Sequence, residues 1–370
     1  MGDLTTEMSL LSVVCPTFDA SLNVADSPFT IDWVLAALST SDDEFIALNK
    51  RSKVIKVAAV DISGGKGFVS KVYKVTIEFD GLSEAYDVIL KVPGAESFAE
   101  AVTNFGSQDE NLFQDEQVSK LHNRECEFYN KYANRINIPL PRVFKVTEWV
   151  LGKQHGAILM ENLVGKAESS PIFVGSNLQQ IVEVVRHLAT LQKYFLCLPP
   201  SEWTGKYKFE AFDSLTRGDF FGPFFDKLKE AKPGVFDYGI DEFNKYKGQV
   251  NFMKYTTCDI YKDIGLPVRR EYEDEVLRYY YDTLAKLLKE EGRNVDFTLD
   301  QIKRAYYGNF VFQTVFTMLC GPFLLMNKEW TEEERPIKQA QLDKILLRAR
   351  FAMEDALERM KDLPEEKLID

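Results

Sequence analysis

A glycine-rich run between two apolar segments is the first part of the sequence whose residue types suit phosphate chemistry. It reads ISGGKGFVSKVYKV, and its glycines are Gly64, Gly65 and Gly67. Glycines let the backbone fold closely over a ligand, and the N–H groups of such a turn bind phosphate oxygens. An ordinary hairpin has the same composition, so the run alone is weak evidence. The candidate phosphate-binding residues are Ser63, Gly64, Gly65, Lys66, Gly67, Phe68, Val69 and Ser70.

A lysine in the next apolar run and a glutamate in a later helix extend this candidate site. Lys91 ends the segment VILK, whose apolar residues direct it toward a buried face, where an ammonium group needs a partner. Leu121, Glu125 and Phe128 have the i, i+4, i+7 spacing of one helix face, so Glu125 points toward the sheet. Glu127 lies on the opposite, solvated side. Glycine turn, strand lysine and helix glutamate in this order are typical of the nucleotide-binding half of a kinase lobe.

A further apolar strand leads to the segment that we expect to contact a nucleotide base. The strand is part of GAILMENLVG, and it ends at Met160, Glu161, Asn162 and Leu163. The backbone of these four residues can hydrogen-bond the edge of an adenine ring before the chain enters its helical part. The sequence therefore predicts a binding site for a small-molecule nucleotide, and ATP is the expected cofactor.

Composition and charge restrict the class of partner. The chain has 370 residues, of which 45% are hydrophobic and 13% aromatic, enough for packed cores. Its 57 acidic and 45 basic residues give a net charge of -12, which repels phosphate backbones and anionic membranes. The long apolar run from Asn309 to Met326 contains Gln313 and a Gly321-Pro322 break, so we interpret it as buried helices. Neither nucleic acid nor a membrane is expected as a partner.

The cysteines and histidines indicate neither disulfides nor zinc. The cysteines are Cys15, Cys126, Cys197, Cys258 and Cys320, and the histidines are His122, His155 and His187. No CxxC pair occurs, and no histidine has a partner at metal-ligand spacing. Free thiols of this kind fit a reducing compartment, so we expect a cytoplasmic protein.

The pattern of elements predicts an α+β, two-lobed fold of the protein-kinase type. We expect a helical extension over residues 1–50 and a nucleotide-binding lobe over 51–163, made of a small antiparallel sheet and one long helix. Residues 164–370 are expected to form a larger, mainly helical lobe. Within it, Thr298 and Gln301 fit a capping box, and an apolar stripe from Leu342 to Met360 indicates a core helix.

Six segments, spread over nearly the whole chain, resemble one family of small-molecule kinases. They are GKGFVSKVYKV, YDVILKVPG, NRECEFYNKY, GAILMENL, NLQQIVEVVRHLATLQKY and FTLDQIKRAYY. They are similar to the CHK family, the ecdysteroid-kinase-like and choline-kinase-like branch of the aminoglycoside phosphotransferase superfamily, and to its nematode members in particular. The resemblance implies a protein-kinase-like fold and ATP-dependent, Mg²⁺-dependent phosphorylation of a hydroxyl group. Ser70 stands where a protein-kinase loop has its third glycine.

The same resemblance shows what the sequence lacks. Family members carry a His-Gly-Asp loop with a nearby asparagine, followed by a strand ending in an Asp-Phe/Trp-Gln motif. The first aspartate acts as base, and the asparagine and second aspartate hold magnesium. Here DIYKDIGLP, ending at Pro267, resembles the approach to that loop, while VRREYEDEVLRYYYDTL, starting at Val268, resembles the helix after the strand. About 40–50 residues are therefore missing at 267/268.

Three similar-looking motifs elsewhere do not replace the missing parts. His155-Gly156 is followed by alanine and lies in the strand before the predicted base-binding segment. Asp32-Trp33 is followed by valine and lies upstream of the nucleotide lobe, and Asp219 in RGDFFGPF has an extra phenylalanine. We therefore assign no catalytic and no metal-binding residue. Mg²⁺ is expected for the family, but its ligands are missing here, and apolar helix faces are expected to be left exposed.

Three interpretations remain open. The chain is a CHK-type kinase homologue that has lost its catalytic centre and is inactive, a pseudokinase that binds a nucleotide or a partner, or a truncated isoform that does not fold stably. Lys91 and Glu125 suit the first two equally. The sequence identifies no acceptor substrate and no protein partner, because acceptor specificity depends on pocket shape.

Overall fold

The computed structural model describes residues 18–63, 69–96, 114–168, 173–202, 206, 221–256, 273–322 and 330–369. Three features of the sequence lie outside these ranges. They are the centre of the glycine turn (Gly64, Gly65, Lys66, Gly67 and Phe68), Asp219, and the junction between Pro267 and Val268.

The described chain runs from two short helices through a sheet into a mainly helical part. The first helices are α1 (Ile31–Ser41) and α2 (Asp43–Arg51). The strands are β1 (Val54–Asp61), β2 (Ser70–Phe79), β3 (Tyr86–Pro93), β4 (Val143–Thr147) and β5 (Ala157–Glu161), and helix α3 (Asp115–Lys131) lies between β3 and β4. The later helices are α4 (Leu178–Cys197), α5 (Gly222–Ala231), α6 (Asp237–Asn244), α7 (Val250–Lys254), α8 (Glu273–Glu290), α9 (Leu299–Gly321) and α10 (Arg335–Met360). Short 3-10 helices occupy Ala133–Arg135, Pro200–Glu202 and Glu365–Lys367.

The five strands form one antiparallel sheet in the order β1-β2-β3-β5-β4. The first three are consecutive antiparallel neighbours and form a meander. The turn between β2 and β3 contains Gly81 at a φ of 68°, a conformation that glycine adopts without strain. In the register of the sheet, Lys91 on β3 lies opposite Val72 on β2 and Ile158 on β5. The predicted α+β class, with a small antiparallel sheet followed by a mainly helical part, is confirmed.

The first two helices cover one face of the sheet. Side chains of α1 and α2 share a hydrophobic cluster with alternate residues of the central strands, because successive side chains of a strand point to opposite faces. Members of the cluster include Val34, Leu38, Phe45, Val75, Ile77, Val88 and Leu90. At the start of α2, the Tyr86 hydroxyl donates a hydrogen bond to the buried carboxylate of Asp42. The opposite face of the sheet is left for α3.

The helical part has its own core, built mainly by α9 and α10. As predicted, a stripe of α10 is buried there, formed by Leu342, Ile345, Leu346, Ala349, Met353, Ala356 and Met360. The capping box at the start of α9 is present: Gln301 N donates to Thr298 Oγ1 at 3.2 Å, and Thr298 N donates to Gln301 Oε1 at 2.7 Å. Two orphan N–H groups are satisfied in this way, which fixes where the helix begins.

A smaller cluster joins the two parts. Val118 of α3 and the side chain of Trp149, just after β4, pack with Phe224 of α5 and Leu319 of α9. All four side chains are at most 8% exposed. The helix that carries Glu125 is therefore packed against both the sheet and the helical part.

Candidate functional site

An ion pair between β3 and α3 is the centre of the candidate site. The Nζ atom of Lys91 lies 2.8 Å from Oε1 and 2.6 Å from Oε2 of Glu125. The Lys91 side chain is 27% exposed and that of Glu125 is 32% exposed. The pair that the sequence predicted is thus formed, and both charges remain accessible to a ligand.

The alternation of β3 directs Lys91 away from the sheet core. Val88, Leu90 and Val92 belong to the cluster under α1 and α2, so Lys91 lies on the other face of the strand. On that face α3 crosses the sheet. Glu125 stands on the side of α3 that faces β3, while Glu127 binds Lys131 at 2.7 Å. The Glu127 side chain is 27% exposed, so it is no more solvated than Glu125.

Helix α3 is tied to the end of β4 through two adjacent side chains. Asn123 donates from Nδ2 to the carbonyl oxygen of Trp149 at 3.0 Å and accepts from the Trp149 N–H at 2.8 Å. His122 donates from Nε2 to the carbonyl oxygen of Thr147 at 2.9 Å, because that oxygen can only accept. These contacts place Glu125, two residues further along the helix, beside Lys91.

Burial keeps two ionisable groups next to the ion pair neutral. Burial lowers the pKa of His122, against the opposing effects of the Thr147 carbonyl and of Glu125. Its Nδ1 atom is buried and has no hydrogen-bond partner among the described residues. Burial, with the charges of Glu125 and Glu148, raises the pKa of the Cys126 thiol to about 12. The Cys126 thiol is therefore a packing group and a poor nucleophile.

The glycine of the His155-Gly156 dipeptide has a steric role. A Cβ atom at Gly156 would lie 2.4 Å from His122 Nε2 and 2.9 Å from the Cβ of Trp149. Real Cβ atoms do not approach other atoms so closely, so only glycine fits beside the His122 ring. His155 itself is exposed. The dipeptide resembles a catalytic motif in sequence, but its geometry explains it as packing.

Both flanks of the glycine turn are hydrogen-bonded to each other. Val72 N donates to Ser63 Oγ at 2.7 Å, and Ile62 N donates to the carbonyl oxygen of Val72 at 2.8 Å. Gly94 N donates to the carbonyl oxygen of Val69 at 3.1 Å, which places Val69 beside the end of β3. Ser70 begins β2 and is buried. The described start of the turn is thus held beside β2, and its described end lies next to the end of β3, the strand that carries Lys91.

The predicted base-binding segment follows β5. Met160 lies opposite Ile89 in the sheet, and Glu161 Oε1 accepts from the Arg142 N–H at 2.7 Å. Partial burial raises the pKa of Glu161, but the Arg142 N–H and Lys166 outweigh it, so the pKa lies below its ordinary value. The Glu161 side chain is therefore a charged group that stabilises the end of β5 through its contacts with Arg142 and Lys166.

The backbone turns immediately after this strand. Asn162 Oδ1 accepts from the N–H of Val164 at 3.1 Å, and the carbonyl oxygen of Leu163 accepts from the N–H groups of Lys166 and Ala167, each at 2.9 Å. The four predicted residues thus form the end of β5 and a tight turn, a shape that presents backbone groups at that end of the strand.

Sequence reasoning missed the two residues that position α3. The amide of Asn123 and the ring of His122 bind backbone atoms 26 and 25 residues away, and no local pattern marks such partners. The only signal was the Asn-Arg-Glu run in which Glu125 sits beside polar neighbours.

Within the described ranges, acidic and histidine side chains do not gather into a metal site. No group of three or more His, Cys, Asp or Glu residues there has the geometry to hold a metal ion. The described helices also include none with the length and apolar character needed to cross a lipid bilayer.

Comparison with known proteins relates residues 48–268 to the family model DUF1679, described as "Uncharacterized oxidoreductase dhs-27". The protein of that name from Caenorhabditis elegans is 24% identical over 308 aligned positions, which cover 67% of this chain and 37% of the relative. The chain thus spans little more than a third of the length of this curated relative.

Two solved structures are similar at low levels. One is the GDP and kanamycin complex of APH(2")-IIia, at 12% identity and a TM-score of 0.30, covering 84% of this chain and 98% of that one. The other is the aminoglycoside phosphotransferase APH(2'')-Ib with bound ADP, at 11% identity and a TM-score of 0.28, covering 84% of this chain and 99% of that one. TM-scores of this size do not establish a shared fold.

Proposed function

The chain belongs to the DUF1679 family, and we propose that it is a kinase-like nucleotide-binding protein of the CHK type that has lost phosphoryl transfer. Residues 51–163 form the nucleotide-binding lobe in this proposal, and ATP is the nucleotide. The observation that carries it is the contact between Lys91 Nζ and both carboxylate oxygens of Glu125. The name oxidoreductase belongs to a relative of which this chain spans 37%.

The chemistry of the ion pair supports phosphate binding. An ammonium group has three N–H donors. A carboxylate that accepts from it fixes the direction of the ammonium group, so that the remaining N–H donor can point toward a ligand. At 27% exposure, the Lys91 ammonium is open enough to be reached and close enough to apolar surroundings to attract an anion strongly. In a kinase lobe, the corresponding lysine holds the nucleotide phosphates and the glutamate holds the lysine.

The surrounding elements suit the rest of a nucleotide. The described start of the glycine turn is bonded to β2 and its described end to Gly94 after β3, and we place the phosphates at this end of the sheet, beside Lys91. The turn after Glu161 presents backbone groups at the other end of the site, where we place the adenine edge between Met160 and Leu163. Phosphates and base are thereby assigned to opposite ends of one strand pair, β3 and β5.

Two observations support the loss of the phosphoryl-transfer segment. The family match ends at residue 268, beside the junction of Pro267 and Val268. The alignment with the relative is 308 positions long, but it contains only 67% of the 370 residues of this chain, which is about 248. About 60 aligned positions of the relative therefore have no counterpart in this chain. That difference is large enough to contain the roughly 40–50 residues expected for a catalytic loop, its strand and their connection.

An exposed apolar stripe on α4 is a third supporting observation. Leu178, Ile181, Val184 and Leu188 recur at helical spacing and are between 38% and 58% exposed. The other side of α4 packs on α8 through Ala189, which is fully buried. An apolar helix face is normally covered, and a missing segment leaves such a face bare.

Without its base and metal ligands, the chain would lose about 10²–10⁴-fold of the rate of phosphoryl transfer.

Thermal unfolding of the purified chain with and without ATP, each with and without Mg²⁺, tests this function. ATP at about 100 times its dissociation constant stabilises a folded protein by about 2.7 kcal/mol, which raises the Tm by a few degrees. We expect a rise that does not require Mg²⁺. An unchanged Tm with ATP would overturn nucleotide binding, and turnover of ATP with a small-molecule acceptor would overturn the loss of catalysis.

A further inference from the structure

We infer that Asn123 and His122 are positioning residues that lock helix α3 in place, so that the Lys91–Glu125 pair is formed before any nucleotide binds. The effect of this anchoring on nucleotide binding rests on the proposed function. The anchoring itself is a property of the folded chain. Kinase-like lobes place lysine and glutamate on separate elements, so their contact depends on where the helix lies.

The Asn123 side-chain amide binds both backbone polar groups of one residue, as a neighbouring strand would. It donates to the carbonyl oxygen of Trp149 at 3.0 Å and accepts from the N–H of the same residue at 2.8 Å. Two antiparallel hydrogen bonds to one residue fix both the distance and the rotation of the side chain, as in a β-bridge. One residue of α3 is thereby held in a single register against the chain after β4.

The His122 ring adds a second point of attachment. Its Nε2 atom donates to the carbonyl oxygen of Thr147 at 2.9 Å, two residues before Trp149. The ring is only 4% exposed, and the close approach of Gly156 leaves it no room to rotate away. Attachments at two successive helix residues prevent α3 from both sliding and turning.

The backbone that receives Asn123 is itself held by packing. The Trp149 side chain is 8% exposed and belongs to the cluster formed with Val118, Phe224 and Leu319. These side chains come from α3, α5 and α9. The anchor therefore connects the helix of the ion pair to the helical part of the chain through one tryptophan.

The hydrogen bonds of Asn123 and His122 shift the equilibrium between the attached and the detached position of α3, and the shift is large enough to keep the helix attached. A net hydrogen bond shifts an equilibrium by roughly 2- to 12-fold, so three such bonds shift it by roughly 10- to 2000-fold together. Glu125 lies two positions after Asn123 and moves with it. The position in which these contacts hold α3 is the one that places Glu125 within 2.6 Å of Lys91.

Hydrogen exchange of the full chain, followed by mass spectrometry, tests the anchor. We expect the α3 amides of Asn123→Ala to exchange about 10-fold faster than in the wild type, with Asn123→Asp in between, because aspartate retains the bond from the Trp149 N–H. Asn130→Ala is the matched control, since Asn130 is exposed on the same helix. The amides of β2 and β3 report whether each variant is folded.

A second measurement titrates each variant with ATP. The dissociation constant of ATP should be the same in the wild type and in Asn130→Ala, because the helix is in place in both. In Asn123→Ala it should rise by at least about 4-fold, because a nucleotide that needs the formed pair loses affinity in proportion to the fraction of molecules in which the pair is absent. Equal exchange in Asn123→Ala and Asn130→Ala would overturn the anchor, and an unchanged dissociation constant in Asn123→Ala would overturn its role in forming the pair before ATP binds. If ATP fails to bind the wild type, the proposed function fails, while the comparison without ATP still decides the anchor.

Discussion

Lys91 and Glu125 are 34 positions apart in the chain, and their charged groups meet at 2.6 Å between β3 and α3. The contact depends on three independent features: the alternation of β3, the face of α3, and the attachment of α3 to the residues after β4. An arrangement of this kind is suited to hold an anion, because a partly exposed ammonium is held in one direction by its carboxylate partner.

Replacement of Lys91 by methionine should abolish the ATP-dependent rise in Tm. The stability without ATP should change by only about 1 kcal/mol or less, because the ion pair is partly exposed. Lys56→Met is the matched control, since Lys56 also forms an ion pair on the sheet, with Glu78 at 2.7 Å, but lies away from α3. An undiminished ATP effect in Lys91→Met would show that the nucleotide does not use this lysine.

Replacement of Gly156 by alanine should lower the free energy of unfolding by about 1–3 kcal/mol, because the new methyl group overlaps the His122 ring. Urea unfolding measures the change. Gly94→Ala is the control, because a Cβ there meets no atom within 4 Å. The cost of Gly156→Ala should be smaller in a His122→Ala background, and equal costs in both backgrounds would contradict the steric explanation.

The stability of the protein should decrease as the pH falls below about 6.5, the ordinary pKa of histidine. Burial lowers the pKa of His122 in the folded state, so the unfolded chain takes up the proton first. This contribution is therefore complete above pH 6.5 and is lost as the pH falls toward the lowered pKa. His122→Asn should flatten the dependence of Tm on pH between 5.5 and 7.5. His155→Asn, at an exposed position, should leave it unchanged.

Arg359 should contribute strongly to the stability of the helical part. It binds both oxygens of Glu273 at 2.9 and 3.0 Å, joins α10 to the start of α8, and lies 3.9 Å from the centre of the Phe310 ring. Both charged side chains are at most 12% exposed. Arg359→Ala should therefore cost about 3 kcal/mol, because it leaves a buried carboxylate unpaired.

The control for this change is Arg350→Ala, which removes an exposed pair with Glu354 on the same helix. That pair should contribute at most about 0.5 kcal/mol. Chemical denaturation of both variants compares them directly, and similar costs would show that burial does not determine the strength of the Arg359 pair.

Local patterns in the sequence were sufficient for the elements and for part of the site. The alternation around Val75 and Ile77 predicts β2, the Thr298–Gln301 capping box marks the start of α9, and the spacing around Glu125 identifies the helix face turned to the sheet. These features depend on residues within a few positions of one another, and the physical rules that govern them act at that range.

Tertiary structure alone decided how the candidate site is held. The carbonyl and N–H groups that bind Asn123 come from Trp149, and the space for the His122 ring comes from Gly156; no sequence periodicity connects such residues. The exposure of Val184 on α4 was likewise not determined by the helix itself, since an apolar stripe specifies that a face should be covered but not by what. Hydrogen-bond partners and packing contacts between distant segments depend on the relative positions of whole elements, which only the folded chain defines.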